Sequence, residues 1–381
     1  RRDGNAVHNF HLGPGMDNCL TSTSIGCIFC CQGCNAEKLR NAFTFLPPPR
    51  SYDIKEAAPM DTATARPGKM IYLSENLRNC TAYQHAAEQS EVHFIKTDKG
   101  QRIPIVWLRR SSSGPAPFVL LHCHGNATDI GMMMGPYKEL SRHLGVDVVG
   151  VEYSGYGLST GSPSSGNTLA DAKAAYDHLI ASGVPAERIV AYGQSVGCGP
   201  ALELASKQPM GGVVLHSPML SGIKVIDPQP DHCCRPSCVY RCFDFFQNDK
   251  RVKTISCPAF IIHGQQDNII PFYHGDKLSR AAPKPYQWPG YFPKAAGHND
   301  IVELDAATYF EKVRAFIQCV IERASTSMGT PSSKPAQISM ADTPKESSKD
   351  PWSEHAALSF SEPAVGPEDG RYETLRRGHG G

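Results

Sequence analysis

The chain has 381 residues, 40% of them hydrophobic, which is ample for the core of a full-sized catalytic domain. Lys and Arg number 38 against 37 Asp and Glu, a formal charge of +1; general affinity for a nucleic-acid backbone needs a basic excess and is excluded. Composition also excludes collagen-like and wholly disordered classes, and no apolar run reaches the about 18 residues that a membrane-crossing helix needs.

The chain opens Arg1-Arg2 and its first methionine is Met16. Residues 1–15 are therefore expected to lie upstream of the start, unless the fragment is truncated. No apolar segment followed by a small-residue cleavage site is visible, so no secretory signal is expected. Asp17 follows Met16, which excludes N-myristoylation from that start. Without a secretory signal the 14 cysteines are expected to be reduced. Five of them, Cys19, Cys27, Cys30, Cys31 and Cys34, crowd into one short stretch with Leu20, Ile25, Ile28 and Phe29 between them. Pro47-Pro48-Pro49 then breaks the chain. Residues 50–90 resist assignment.

Val92–Thr97 and Ile103–Leu108 alternate like paired strands. Phe118–Cys123 and Val146–Glu152 are continuous apolar runs, as in strands buried on both faces. Residues 168–182 form an expected helix with Leu169, Ala172, Tyr176, Leu179 and Ile180 on one face, and Gly183 stops it. Arg188–Tyr192, Gly212–His216 and Ala259–His263 are further buried strands, and Tyr286–Phe292 reads as the last. The closing helix covers about 304–323, with Tyr309, Val313, Phe316, Ile317 and Val320 inward. Strands alternating with helices predict a mostly parallel sheet covered on both faces, an α/β fold. Beyond about Ser325 the chain is rich in Ser, Pro, Thr, Lys and Glu. It is too poor in large apolar residues to offset the entropy of ordering. The expected organisation is an arm over 1–50, a catalytic domain over 51–325 and a disordered tail over 326–381.

The pattern G-x-S-x-G occurs at Gly157–Gly161 and at Gly193–Gly197. A nucleophile elbow needs a strand before the serine and a helix after it, with small neighbours that tolerate a strained turn. Ser195 meets this, between Arg188–Tyr192 and the helical pattern Cys198–Lys207. Ser159 is followed by Ser162-Pro163-Ser164-Ser165-Gly166 and reads as loop. A serine needs a base, and in this architecture the chain order is Ser, acid, His. His298 lies between the last strand and the last helix and is the expected base. Asp267, directly after Ala259–His263, is the expected acid. His216 and His263 end buried strands and read as core or supporting residues; Asp300 reads as a loop or cap residue. The oxyanion needs two N–H donors. One is expected from Val196, the other from the loop His124-Gly125-Asn126-Ala127, with Asn126 ahead of Ala127. Gly131–Gly135 with Met132, Met133 and Met134 suits either core packing or an acyl groove. No carboxylate or cysteine pattern calls for a catalytic zinc or any other cofactor.

The stretches His124–Gly131, Tyr153–Gly161, Tyr192–Gly197, His263–Asp267 and Gly297–Asp300, with the cysteine cluster, Phe45-Leu46-Pro47-Pro48 and Tyr52, together resemble the alpha/beta-hydrolase-domain depalmitoylases. These are peripheral membrane serine hydrolases with a cysteine-rich amino terminus. The resemblance spans roughly 19–52 and 91–323. It implies an alpha/beta-hydrolase fold and thioester hydrolysis that releases palmitate from S-acylated, membrane-associated proteins. Ser195, Asp267 and His298 fall on the family's triad positions. It also implies residence on the cytoplasmic face of the plasma membrane or endosomes. The cysteine-rich segment 227–242 and the tail after Ser325 depart from the family pattern.

Cys27–Cys34 reads C-x2-C-C-x2-C and admits metal binding, free thiols or S-palmitoylation. The flanking Leu20, Ile28 and Phe29 and the lack of a second ligand arm favour S-palmitoylation. Several acylated cysteines anchor stably where one does not, because each buried methylene contributes about 0.8 kcal/mol. The second cluster, Cys233, Cys234, Cys238 and Cys242, admits zinc, further acylation or a cap lining. A non-catalytic scaffold and a hydrolase of lipid or small acyl esters are the rival functions.

Overall fold

A computed structural model describes residues 41, 44–56, 69–111, 114, 116–226 and 244–327. The expected anchor cysteines, the second cysteine cluster and the tail beyond 327 lie outside the described residues.

The main sheet has seven strands: β3 (Ser90–Lys96), β4 (Arg102–Leu108), β5 (Val119–Cys123), β6 (Asp147–Val151), β7 (Ile189–Gln194), β8 (Gly212–His216) and β9 (Ala259–Ile262). Their spatial order is β3-β4-β6-β5-β7-β8-β9. β3 and β4 pair antiparallel, as does β4 with β6; the rest run parallel. β1 (Tyr52–Glu56) and β2 (Lys69–Leu73) make a separate antiparallel pair.

Every residue of β5, β6, β8 and β9 is buried, which is why those strands read as unbroken apolar runs. Side chains alternate between two cores, as the strand period of two requires. Val119, Leu121, Ile189 and Ala191 join Ala172, Tyr176 and Leu202 on one face. Leu120, Val190 and Tyr192 join Tyr137, Tyr309, Val313 and Phe316 on the other. α4 (Ser165–Ala181) and α5 (Cys198–Lys207) cover the first face. α3 (Ile130–Leu144) and α9 (Ala306–Ser327) cover the second. Short helices α1 (Glu75–Arg78), α2 (Thr81–Gln89), α6 (Asn248–Arg251), α7 (Tyr273–Ala281) and α8 (Ile301–Leu304) complete the order.

Three expectations change. α4 begins at Ser165, because Ser164 accepts the Asn167 N–H (3.0 Å) and caps it. Ile180 is 40% exposed, since Ala175 and not Ile180 completes the inward stripe with Ala172, Tyr176 and Leu179. Tyr286–Phe292 is not a strand; only Gln287 and Tyr291 bridge to β9. Pro289 lacks an N–H, so a continuous ladder cannot form across it.

Candidate active site

Register brings the carboxyl ends of the parallel strands together: Cys123 pairs with Gly193, and Gly193 with Leu215. The loops leaving β5, β7 and β9 therefore open on one edge, where α/β sheets bind ligands.

Ser195 follows β7 and precedes α5, with φ at +51°. A left-handed angle on a residue with a Cβ costs on the order of 1–2 kcal/mol. It turns the side chain out of the sheet edge, half-buried and reachable. The two glycines make room. A Cβ on Gly193 would lie 2.5 Å from the Gly197 carbonyl oxygen, and one on Gly197 would overlap the carbonyl oxygens of Cys123 and His124.

The Ser195 Oγ is 3.0 Å from His298 Nε2, and His298 Nδ1 is 2.6 Å from Asp267 Oδ2. Three side chains from positions 195, 267 and 298 thus form one hydrogen-bonded line. Asp267 Oδ1 also accepts the N–H groups of Ile269 (2.9 Å) and Ile270 (2.7 Å). His263 Nε2 faces two acceptors, Ile270 O at 2.8 Å and Asp267 Oδ2 at 3.2 Å, so this nitrogen carries the proton. Burial pushes the Asp267 carboxyl up, but hydrogen bonds from His263, His298 and Ile270 outweigh it and hold the group well below the usual carboxylate range. The acid is therefore an anion aimed at one imidazole nitrogen, with the other left for the serine.

The remaining candidates sort by position. His216 Nδ1 contacts the Tyr192 hydroxyl (2.7 Å), and burial lowers its pKa to about 3. His274 Nδ1 accepts the Leu220 N–H. Asp300 Oδ1 accepts the Gly297 N–H (2.6 Å), which shapes the turn that carries His298. Ser159 lies in the loop after β6. Met133 and Met134 are buried in the second core. Among the described residues no group of His, Cys, Asp and Glu is arranged to hold a metal ion. A cavity of about 390 Å³ between β3 and α4, lined by Lys96, Lys173 and His178 among others, holds none of these residues.

The loop after β5 runs beside the elbow. Ala127 has φ at +54°. The Asn126 carboxamide is turned to Thr44, Leu46 and Tyr156, so the donor considered for this residue at the site is its backbone N–H. Beneath the loop lies a buried polar set that sequence reading did not assemble. Glu152 accepts from Tyr52 Oη (2.7 Å) and the Ile130 N–H (3.1 Å), and its other oxygen meets His124 Nε2 (3.2 Å). His124 Nδ1 faces Gly125 O at 2.8 Å. Burial raises the Glu152 pKa, and its partners only partly offset this. The available signal was a carboxylate ending the apolar run Val146–Glu152, where a charge survives only if it is satisfied.

A parallel sheet with a strained serine turn at its carboxyl edge defines an α/β-hydrolase. The comparisons agree. A family model described as "Serine aminopeptidase, S33" matches residues 115–233. An esterase of Pyrococcus furiosus shares the fold at a TM-score of 0.50 and 16% identity, covering 73% of this chain and 98% of that one. Alpha/beta hydrolase domain-containing protein aho-3 of Caenorhabditis elegans is 35% identical over 309 residues, 80% of this chain and 84% of its own. Alpha/beta hydrolase domain-containing protein 17B of Homo sapiens is 33% identical over 304 residues, 79% of this chain and 97% of its own. The chain belongs to the family of alpha/beta hydrolase domain-containing proteins that includes aho-3 and protein 17B.

Proposed function

We propose that the protein is a serine hydrolase that cleaves palmitoyl thioesters of S-acylated, membrane-associated proteins. The observation that carries the chemistry is the unbroken line Ser195 Oγ, His298, Asp267 at 3.0 and 2.6 Å. Ser195 Oγ attacks the thioester carbonyl carbon while His298 Nε2 takes its proton. The oxyanion is held by the N–H of Val196 and one N–H of the Asn126–Ala127 turn, which are preorganised and worth roughly 3–4 kcal/mol of barrier each. Collapse expels the substrate's cysteine sulfur, and His298 returns the proton to it. Water then attacks the acyl-serine, giving its proton to His298, and the fatty acid leaves as Ser195 is restored. Asp267 holds the imidazole in the tautomer that can accept from serine and stabilises the imidazolium. No cofactor enters this scheme.

The palmitoyl substrate is supported by the family resemblance and by the cysteines at 19, 27, 30, 31 and 34, which as S-acylated anchors place the enzyme on the lipid surface that carries its substrates. Sharing a surface raises the effective substrate concentration. The cytoplasmic leaflet of the plasma membrane or endosomes is the proposed location.

A fluorophosphonate probe is expected to label wild type and not Ser195→Ala. Palmitoyl-thioester peptides are expected to be hydrolysed faster than lipid or small acyl esters under the same conditions. Absence of Ser195-dependent labelling removes the hydrolase reading and leaves a scaffold. A preference for lipid esters retains the chemistry and removes the depalmitoylase reading.

A further inference from the structure

Ala127 sits at φ +54° in the loop beside the elbow. A non-glycine residue stays in such a conformation only where its surroundings over-determine it. Much of what surrounds this loop comes from far away in sequence, from Thr44–Tyr52. Asn126 Oδ1 accepts the Leu46 N–H (2.9 Å) while Asn126 Nδ2 donates to Thr44 O (2.7 Å). The carboxamide thus takes the N–H after Phe45 and the carbonyl before it, the pair that a neighbouring strand would take around that residue. The Tyr156 hydroxyl donates to the same Oδ1 (2.8 Å) and fixes the amide's orientation. Phe45, between the two bonds, is 4% exposed and meets the Phe246 ring edge-on at 6.3 Å. Further along, Ser51 N–H donates to Asp129 Oδ2 (2.8 Å), its hydroxyl to Asp129 Oδ1, and Tyr52 Oη to Glu152. Segment 44–52 therefore crosses the loop and is fastened at Asn126 and Asp129, on either side of Ala127.

We propose that Asn126 is a positioning residue whose carboxamide seats the Thr44–Tyr52 strap on the oxyanion loop, so that seating of the strap sets turnover at Ser195. The inference rests on the serine-hydrolase reading above. Only an amide does this work at one position. It supplies an acceptor and a donor in one plane, whereas the same residue's backbone N–H is untouched by changes to its side chain. The strap is also the stretch through which the cysteine-rich arm is joined to the catalytic domain; Cys34 precedes Thr44 by ten residues.

The test uses full-length protein, a water-soluble short-chain thioester and the rate of fluorophosphonate labelling. Asn126→Ala is expected to lower kcat about tenfold or more with KM within about twofold. Labelling should slow by the same factor, because the phosphonyl oxygen uses the same donors. The pH midpoint of the rate should stay put, since His298 and Asp267 are untouched. Phe45→Ala, which loosens the strap without altering the loop, should act in the same direction. The double variant should be no worse than the worse single variant, because both act through one seated strap. Should Asn126→Ala fail to fold, Tyr156→Phe removes one bond to the amide and is expected to lower kcat more mildly with KM unchanged. A lowered melting temperature with wild-type kcat, or additive losses in the double variant, would overturn the strap while leaving the hydrolase reading intact. A wild type without Ser195-dependent turnover overturns both.

Discussion

Ser195 and Asp171 illustrate opposite ways in which single residues depart from ordinary solution behaviour. Ser195 stores backbone strain, and the strain is useful because it projects Oγ toward His298. Asp171 stores an electrostatic cost. It lies fully buried under the loop after β6, where Ser154 donates to it through both N–H and hydroxyl at 2.7 Å. Burial drives its pKa up to about 7, and the two Ser154 bonds only partly oppose this. The unfolded chain holds the same carboxyl near about 4. The folded state therefore binds the proton more tightly. The group's contribution to stability is greatest below pH about 4, falls as pH rises toward about 7, and is flat above that. Asp171→Asn carries no titrating proton and should lose this slope. Between pH 5 and pH 8 wild type is expected to lose more unfolding free energy than Asp171→Asn, by an amount on the order of a few kcal/mol. Urea denaturation at the two pH values measures the difference, and parallel losses in both proteins would place the titration elsewhere.

At the scale of elements, the decisive unit is the strand–turn–helix β7–Ser195–α5. Gly197 sits where the turn passes over the end of β5, against the backbone oxygens of Cys123 and His124. Backbone in a central strand cannot move aside cheaply. Gly197→Ala is therefore expected to cost roughly 1–3 kcal/mol through overpacking and to abolish most turnover by carrying Ser195 away from His298. Gly183→Ala is the control. It has a positive φ of +84° but nothing within 4 Å of the added carbon, so it should cost about 1 kcal/mol of backbone strain and leave turnover unchanged. Denaturation midpoints and kcat measured side by side separate the two effects; equal losses of turnover would show that general loss of stability, and not the crowding at the elbow, is responsible. The elements differ in how plainly they are written. Buried parallel strands read directly, since both faces must be apolar. α3 does not, because Gly131, Gly135 and Pro136 all disfavour helix. Its small residues answer to distant partners: a Cβ on Gly131 would meet Ser51 and Tyr52, and one on Gly135 the Tyr83 ring. β1 and β2 are hard to read for another reason: each is only five residues long, too short for the alternation of Tyr52 and Ile54 or of Ile71 and Leu73 to stand out.

For the whole molecule, the meeting of Ser195, Asp267 and His298 was legible because the hydrolase architecture fixes their order and their places after particular strands, whereas the strap was not, because Leu46 meets Asn126 across 80 positions. The near-zero charge of +1 gives no electrostatic reason to sit on an anionic membrane, and among the described residues no helix is long and apolar enough to cross one. The membrane residence proposed above is assigned to covalent lipid on the arm. Leu46, 54% exposed, continues that arm at the loop beside the triad, and Ile269, also 54% exposed, lies two residues past Asp267. Both add exposed apolar area, Leu46 on a segment bonded to the loop after β5 and Ile269 in the loop after β9. Such area alone is small, and one acyl chain binds only marginally, so anchoring depends on two or more lipidated cysteines acting together. Replacing any one of Cys27, Cys30, Cys31 and Cys34 by Ser is accordingly expected to leave most of the protein in the membrane fraction. Replacing all four should move it to the soluble fraction and strongly reduce acyl-exchange labelling, leaving at most the signal of Cys19, while hydrolysis of a soluble short-chain thioester persists. Fractionation of cells expressing each variant reads this out, and a quadruple variant that stays with the membrane would exclude the Cys27–Cys34 cluster as the anchor.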